Sequence, residues 1–257
     1  MKLIIVLILI FNSLACSISQ IVNKNENCAI EVDKLDNYYL IKCNGEIQKY
    51  SAENHLLYVY NSQESNNISY LDVSDPHKLL IFSKDFQNIK ILDNTLSLMK
   101  TIQLDPSQNY DAIGTSNDSN IWLHNQLKNE LCKIDFSGNP LEQNIKIESN
   151  LQNISKSRII ENENMVFICD DTEGVLIFDN LGLYLRSLKL QSIENPTIKD
   201  NSFIYFDKVQ QEILSYDLDS ESIRTLKNLQ GMNAISSIIS NNEIIILTKD
   251  SIRKIKI

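Results

Sequence analysis

The sequence predicts an all-β fold, a six-bladed β-propeller, with five blades as the rival count. Three observations predict it. Apolar residues fall in short runs bounded by turn formers, two turn markers recur with a shared period of about forty residues, and the length holds six such units.

The runs have strand grammar. Examples are YYLIKC (38–43), LLYVY (56–60), KLLIF (78–82), NIKIL (88–92), NIWLH (120–124), MVFIC (165–169), GVLIF (174–178), FIYF (203–206), EILSY (212–216) and EIIILT (243–248). Each is four to six residues long, rich in Ile, Tyr and Phe, and closed by Asn, Asp, Ser or Gly. Continuous runs such as IIIL fit strands packed on both faces, which a sheet held between neighbouring sheets requires. Nothing in the pattern predicts a long helix.

The repeat rests on two markers. An apolar strand ends in Asp at Asp93, Asp135, Asp179 and Asp217, at intervals of 42, 44 and 38 residues. An Asn precedes a strand at Asn120, Asn164, Asn201 and Asn242, at intervals of 44, 37 and 41. A period near forty with several strands per unit is that of a propeller blade. Gly numbers only 6 and Pro 4, so Asn and Asp are expected to supply most of the turns.

Removing residues 1–15 leaves 242, nearly six units of about 41. The units parse as 36–67, 68–108, 109–150, 151–191, 192–230, and a last one beginning at Gly231. The last unit is short, and a strand from 28–34 is expected to complete it, joining the two ends of the chain and leaving no open edge.

The chain is 43% hydrophobic and 22% charged, an ordinary globular composition. Its net charge of −9 repels phosphate backbones and argues against nucleic acid as a partner. Met1-Lys2 followed by the apolar run Leu3–Phe11 and Ser13-Leu14-Ala15 reads as a secretory signal peptide. The run is too short for a membrane span, which needs roughly 20 apolar residues. Cys16 follows directly in SLAC, a loose form of the bacterial lipobox, and is the expected lipidation site. Ser13 stands where the lipobox prefers Leu, and an ordinary signal peptidase would cut at the same bond. The expected organisation is a signal peptide at 1–15, a polar tether at 16–27 and the propeller at 28–257. The product is an exported protein of the cell envelope, facing the periplasm or held at the outer membrane, or else secreted. Its contact with membrane is expected through the lipid alone.

Of the remaining cysteines, Cys28 and Cys43 can pair in an exported protein. Cys132 and Cys169 sit in apolar runs and read as small buried hydrophobes. No C-x-x-C spacing supports zinc, and no cofactor is expected.

The stretches SDPHKLLIFSKDFQNIKILDNTLSLMKTIQL, NIWLHNQLKNELCKIDFSGN and GVLIFDNLGLYLRSLKL resemble a family of uncharacterised exported proteins from Bacteroidetes-type bacteria, single-domain propellers in the style of the NHL and YVTN repeats. The resemblance covers residues 68–230. It implies fold and location, and no activity.

Candidate chemistry is sparse. His55, His77 and His124 fall in different units with no shared spacing, and read as turn or surface residues. Asn120, Asn164 and Asn201 invite comparison with the axial metal ligands of lactonase-type propellers, but their equivalent repeat positions favour a turn role. Asp170-Asp171-Thr172-Glu173 does not match an EF-hand loop. Asn67, Asn117 and Asn153 stand in N-x-S sequons, relevant only in a eukaryotic host. Trp122, the sole tryptophan, reads as core. The densest polar and aromatic cluster near strand ends is Asp75, His77 and Lys78 with Lys84, Asp85 and Phe86, the expected binding face. The function expected is a non-enzymatic binding or scaffold module for a protein, peptide or glycan. The alternative is a metal-dependent hydrolase of lactonase type with an axial cation.

Overall fold

The structure, a computed structural model, describes residues 26–61, 68–147, 158–170, 174–240, 243–249 and 251–256. The expected signal segment, Cys16, most of the expected tether, residues 171–173 and Asn67, Asn153 and Asn242 lie outside the described residues.

The strands form six antiparallel sheets in chain order. The first holds β1 (Asn27–Val32), β2 (Tyr38–Lys42), β3 (Glu46–Tyr50) and β4 (Leu56–Asn61). The second holds β5 (Tyr70–Asp72), β6 (Leu79–Ser83), β7 (Asn88–Leu92) and β8 (Leu98–Gln103). The third holds β9 (Tyr110–Thr115), β10 (Ile121–Asn125), β11 (Glu130–Ile134) and β12 (Pro140–Lys146). The fourth holds β13 (Arg158–Asn162), β14 (Met165–Asp170), β15 (Gly174–Asp179) and β16 (Tyr184–Leu188). The fifth holds β17 (Ile193–Lys199), β18 (Ser202–Asp207), β19 (Glu212–Asp217) and β20 (Ile223–Asn228), and the sixth β21 (Ser236–Ser240), β22 (Glu243–Leu247) and β23 (Ile252–Lys256).

Apart from LLYVY, which is the fourth strand β4, the apolar runs are second and third strands of their sheets. β6 is buried along its whole length and so is β10, because a neighbouring sheet covers each face. The core is accordingly divided into six clusters, each between two successive sheets. Leu80, Phe82 and Ile91 of the second sheet meet Ile113, Leu123 and Ile134 of the third, and the pattern repeats around the ring. The last cluster closes it, packing Ile30, Tyr38 and Leu40 against Ile238, Ile245 and Leu247. The fourth strands face outward, and Leu56, Leu57, Tyr58 and Val59 of β4 are each about half exposed.

The recurring Asp residues close the hairpins between third and fourth strands. The Oδ1 atom of Asp135 accepts from the backbone N–H of Ser137 and Asn139 at 2.7 and 2.9 Å. Asp93, Asp179 and Asp217 cap their turns in the same way. The Asn marker is less uniform. Asn201 adopts a left-handed backbone, φ 57°, but at Asn120 and Asn164 the preceding residues, Ser119 and Glu163, carry it instead.

Ring closure differs from expectation. The segment 28–34 does not complete the last sheet; it contributes β1, which pairs with β2 in the first. The cause is local. Asp33 closes a tight turn, its backbone N–H donating to the Asn37 carbonyl and its Oδ1 accepting from Leu35 and Asn37. A turn that short returns the chain to its own neighbour. A disulfide between Cys28 and Cys43 fastens β1 to the end of β2. The first unit therefore begins at Asn27 instead of residue 36, and the sixth sheet has three strands among the described residues.

Candidate functional site

The first strand of every sheet lines the central axis. Glu31 comes from β1, Tyr70 and Asp72 from β5, Asp111 and Thr115 from β9, Arg158 from β13 and Asn195 from β17. Two pockets open along the axis, of about 360 and 600 Å³. Tyr70, Arg158 and Pro196 line both and form the partition between them.

Arg158 is the centre of this partition. Its guanidinium lies 4.5 Å above the Tyr70 ring centroid, a cation–π contact. It pairs with the Glu31 carboxylate through both terminal nitrogens and reaches Asn195 Oδ1 at 3.5 Å. The 17% of its side-chain surface that remains accessible belongs to pocket wall. Asn195 in turn donates through Nδ2 to the Ile30 carbonyl, Ser236 Oγ and the Ser237 carbonyl, at 3.2, 2.7 and 3.2 Å. It takes that position because β17 bulges at Asn195-Pro196, with Asn195 at φ 46°. The partition thus ties together the first, second, fourth, fifth and sixth sheets.

Burial pushes the Glu31 carboxyl up, to about 7, against the pull of the Arg158 charge, and Asp72 and Glu194 push it the same way. The negative charge of Glu31 holds the guanidinium above its ordinary range against the cost of burial, so Arg158 stays protonated.

The two pockets differ in charge. The smaller is rimmed by Glu31, Asp72, Asp75 and Glu161 against Lys34 and Arg158. Its carboxylates are occupied. Asp72 accepts from Ser74 and from the Thr115 backbone at 2.6 Å, and Glu161 Oε2 accepts from Ser116 Oγ, the Asn117 backbone and the Trp122 indole at 2.5, 3.3 and 2.6 Å. The larger pocket has Lys84, Arg158 and Lys208 against Asp111 and Glu194, with apolar wall from Tyr70, Phe82, Ile193 and Val209.

The six residues expected to form one binding face are divided. Asp75, His77 and Lys78 lie in the loop before β6, while Lys84, Asp85 and Phe86 lie in the turn after it. A fully buried five-residue strand separates them, so they stand on opposite faces of the ring. Asp75 reaches the rim of the smaller pocket and Lys84 the wall of the larger. Lys78 covers the Phe136 ring at 4.4 Å, His77 is held through its backbone by Asp75, and Phe86 is half exposed.

Of the histidines, His55 and His77 are exposed in turns as expected. His124 is not a surface residue. It is buried in β10, with Nδ1 2.6 Å from Asp111 Oδ1 and Nε2 3.2 Å from Asn129 Oδ1. The Asn129 amide nitrogen already donates to the Ile147 carbonyl, so its oxygen faces the imidazole. The imidazole thus bridges Asp111 of β9 and Asn129 of the β10–β11 turn. Asn120, Asn164 and Asn201 line neither pocket. Among the described residues no group of three or more His, Cys, Asp or Glu side chains is placed to hold a metal. Burial pushes the Cys132 thiol up to about 11, and Cys169 is buried in the wall of the larger pocket.

Solved structures of like architecture include a streptogramin B lyase, at 13% identity over 88% of this chain and 77% of that one, with a TM-score of 0.59. A protein of unknown function from Bacteroides caccae matches at 12% identity over 86% and 90%, TM-score 0.58. BamB from Moraxella catarrhalis matches at 11% identity over 90% and 74%, TM-score 0.50. The chain is a six-bladed β-propeller. At these identities the likeness is one of fold. No protein-family model matches the sequence, and no curated protein matches it significantly. No helix among the described residues is long and apolar enough to cross a membrane.

Sequence reasoning missed Arg158, Glu31, Tyr70, Asn195 and the Asp111–His124 pair. The available signal was weak: a charged or amide residue within the first strands β1, β5, β9, β13 and β17, at no fixed position along them.

Proposed function

We infer that this propeller is an extracytoplasmic binding module, held to a membrane through a lipid on Cys16, that takes its partner at the axis. The axial pockets carry this reading. A rigid ring supplies concave sites of about 360 and 600 Å³, within or near the range of ligand sites, with charged groups set against apolar walls. The Cys28–Cys43 disulfide supports an oxidising compartment, as does the apolar N-terminal run ending in SLAC. The resemblance of residues 68–230 to an exported Bacteroidetes-type family agrees with that location. The hydrolase alternative needs an axial cation, and the centre of this channel carries the Arg158 guanidinium, which repels one.

The partner is a protein, peptide or glycan that reaches the axis, and it is tested by rim substitutions. Val209, at the mouth of the larger pocket, and Leu181, in the β15–β16 turn, are 74 and 80% exposed. Val209→Arg is expected to abolish partner capture from the native membrane and Leu181→Arg to leave it intact. Equal capture by both variants contradicts the reading. Radiolabelled fatty acid should enter the wild-type chain and not Cys16→Ala; equal labelling would end the anchor proposal.

A further inference from the structure

We propose that the larger axial pocket binds ligands ending in a carboxylate beside an apolar side chain, as the C-terminal residue of a polypeptide does. This rests on reading the axis as a binding site, and it names the ligand class.

Donors outnumber acceptors in the wall. A guanidinium has five N–H groups, and among the described residues Arg158 makes three hydrogen bonds, two to Glu31 and one to Asn195. The rest of its donor edge faces the pockets. Lys84 lies on the same wall, and its ammonium makes no hydrogen bond or ion pair among the described residues; only its backbone N–H is engaged, with Ser69 Oγ at 2.9 Å. Lys208, in contrast, is paired with Glu194 at 3.4 Å. A planar guanidinium and a nearby ammonium, both underused, are suited to a carboxylate. The smaller pocket lacks this surplus, since its acidic residues are in the majority.

Shape and polarity narrow the class further. Tyr70, Phe82, Ile193, Pro196 and Val209 give the pocket an apolar side, which favours an aliphatic or aromatic group next to the charge. Asp111 Oδ2 is buried in the wall without a donor among the described residues, although Oδ1 is bonded to His124. That oxygen is closed to solvent, so the polar contacts open to a ligand are those of Arg158 and Lys84. A volume of about 600 Å³ holds one or two residues of chain, not a folded segment. Capture of a chain end by a basic pocket is a general peptide-recognition mode.

The test uses the full chain purified in detergent and three probes: N-acetyl-leucyl-leucine, its C-terminal amide, and N-acetyl-leucine. Calorimetry should give at least tenfold tighter binding for the free acid than for the amide. Lys84→Glu should weaken the acid tenfold or more and leave the amide unchanged. Lys84 sits in an exposed turn and its side chain holds no other residue, so the variant folds; Lys84→Gln, with a smaller loss, guards against a merely local effect of the new charge. Binding of N-acetyl-leucine as tight as that of the dipeptide acid assigns the site to free acylated amino acids, and weaker binding assigns it to chain ends. Equal affinity for acid and amide, an unchanged acid affinity in Lys84→Glu, or no measurable binding overturns the proposal. Continued sensitivity of partner capture to Val209→Arg in that event would leave the axial binding reading standing and reject only this ligand class.

Discussion

The indole N–H of Trp122, in the third blade, donates to Glu161 Oε2, in the fourth, at 2.6 Å. Both ends of this bond are otherwise held. Trp122 is fully buried beneath Lys133, whose ammonium lies 4.1 Å from the ring, and Lys133 pairs with Asp118 at 2.8 Å. Blade-to-blade adhesion here is apolar packing pinned by the Glu161 carboxylate, which accepts from Trp122, Ser116 and Asn117 of the third blade. Trp122→Phe keeps most of the packing and removes the donor, and should cost about 1–3 kcal/mol. Trp122→Ala should cost about 3–5 kcal/mol. Urea unfolding followed by far-ultraviolet circular dichroism checks both, and equal losses for the two variants would refute this division of roles.

The Glu31–Arg158 pair gives a pH dependence with a definite sign. The folded-state carboxyl is raised to about 7 from an ordinary value of 4.5. Between these values the folded chain binds a proton that the unfolded chain has released. Its contribution to stability is therefore fully present below about pH 4.5 and is lost as the pH rises through about 7. Chemical denaturation of wild type and Glu31→Gln across pH 4.5–8 should differ in slope over that window, the variant being flatter. Parallel curves would contradict the assignment.

The same pair predicts strong non-additivity. Removing either charge alone leaves the other buried and uncompensated, at about 3–5 kcal/mol, whereas Glu31→Leu with Arg158→Leu should cost far less than the sum of the two single losses. A double-mutant cycle measures it.

The disulfide closes a loop of 15 residues between β1 and the end of β2. A loop of that length is worth about 3 kcal/mol in the chain-entropy description. Cys43→Ser should lower the melting temperature and allow β1 to exchange its amide hydrogens faster than the third-blade strands. Unchanged exchange in β1 would show that packing on the sixth blade holds it without the covalent link.

At Gly114 the backbones of the third and fourth blades approach closely. A Cβ there would stand 2.2 Å from the Ile159 carbonyl oxygen of the next blade. Gly114→Ala must displace backbone, and a loss of stability comparable to that of a buried large-to-small change is expected; a neutral result would mean the inner strands can part without cost.

Much of the architecture was legible because one physical cause produced it repeatedly. Middle strands covered on both faces demand unbroken apolar runs, and the four Asp residues that cap third-to-fourth-strand turns kept their spacing for the same reason. Closure was misread because the period alone does not say which neighbour a terminal strand joins; the Asp33 turn decides that, in five residues. The axial site was hidden for a different reason. Arg158 and Glu31 are 127 positions apart, and neither stands in a motif. Their meeting is a consequence of the ring, which places every first strand at one centre. The polar cluster around β6 looked continuous in sequence, but a buried strand puts its two halves on opposite faces.

The most direct test of axial binding places a photo-activated benzophenone side chain at Val209, on the rim of the larger pocket, or at Leu181, in an outer turn, in living cells. Both positions are exposed and accommodate the bulky group. Illumination should join the partner to the chain from Val209 and not from Leu181. Cross-linking from Leu181 with none from Val209 would place recognition away from the axis and contradict the account.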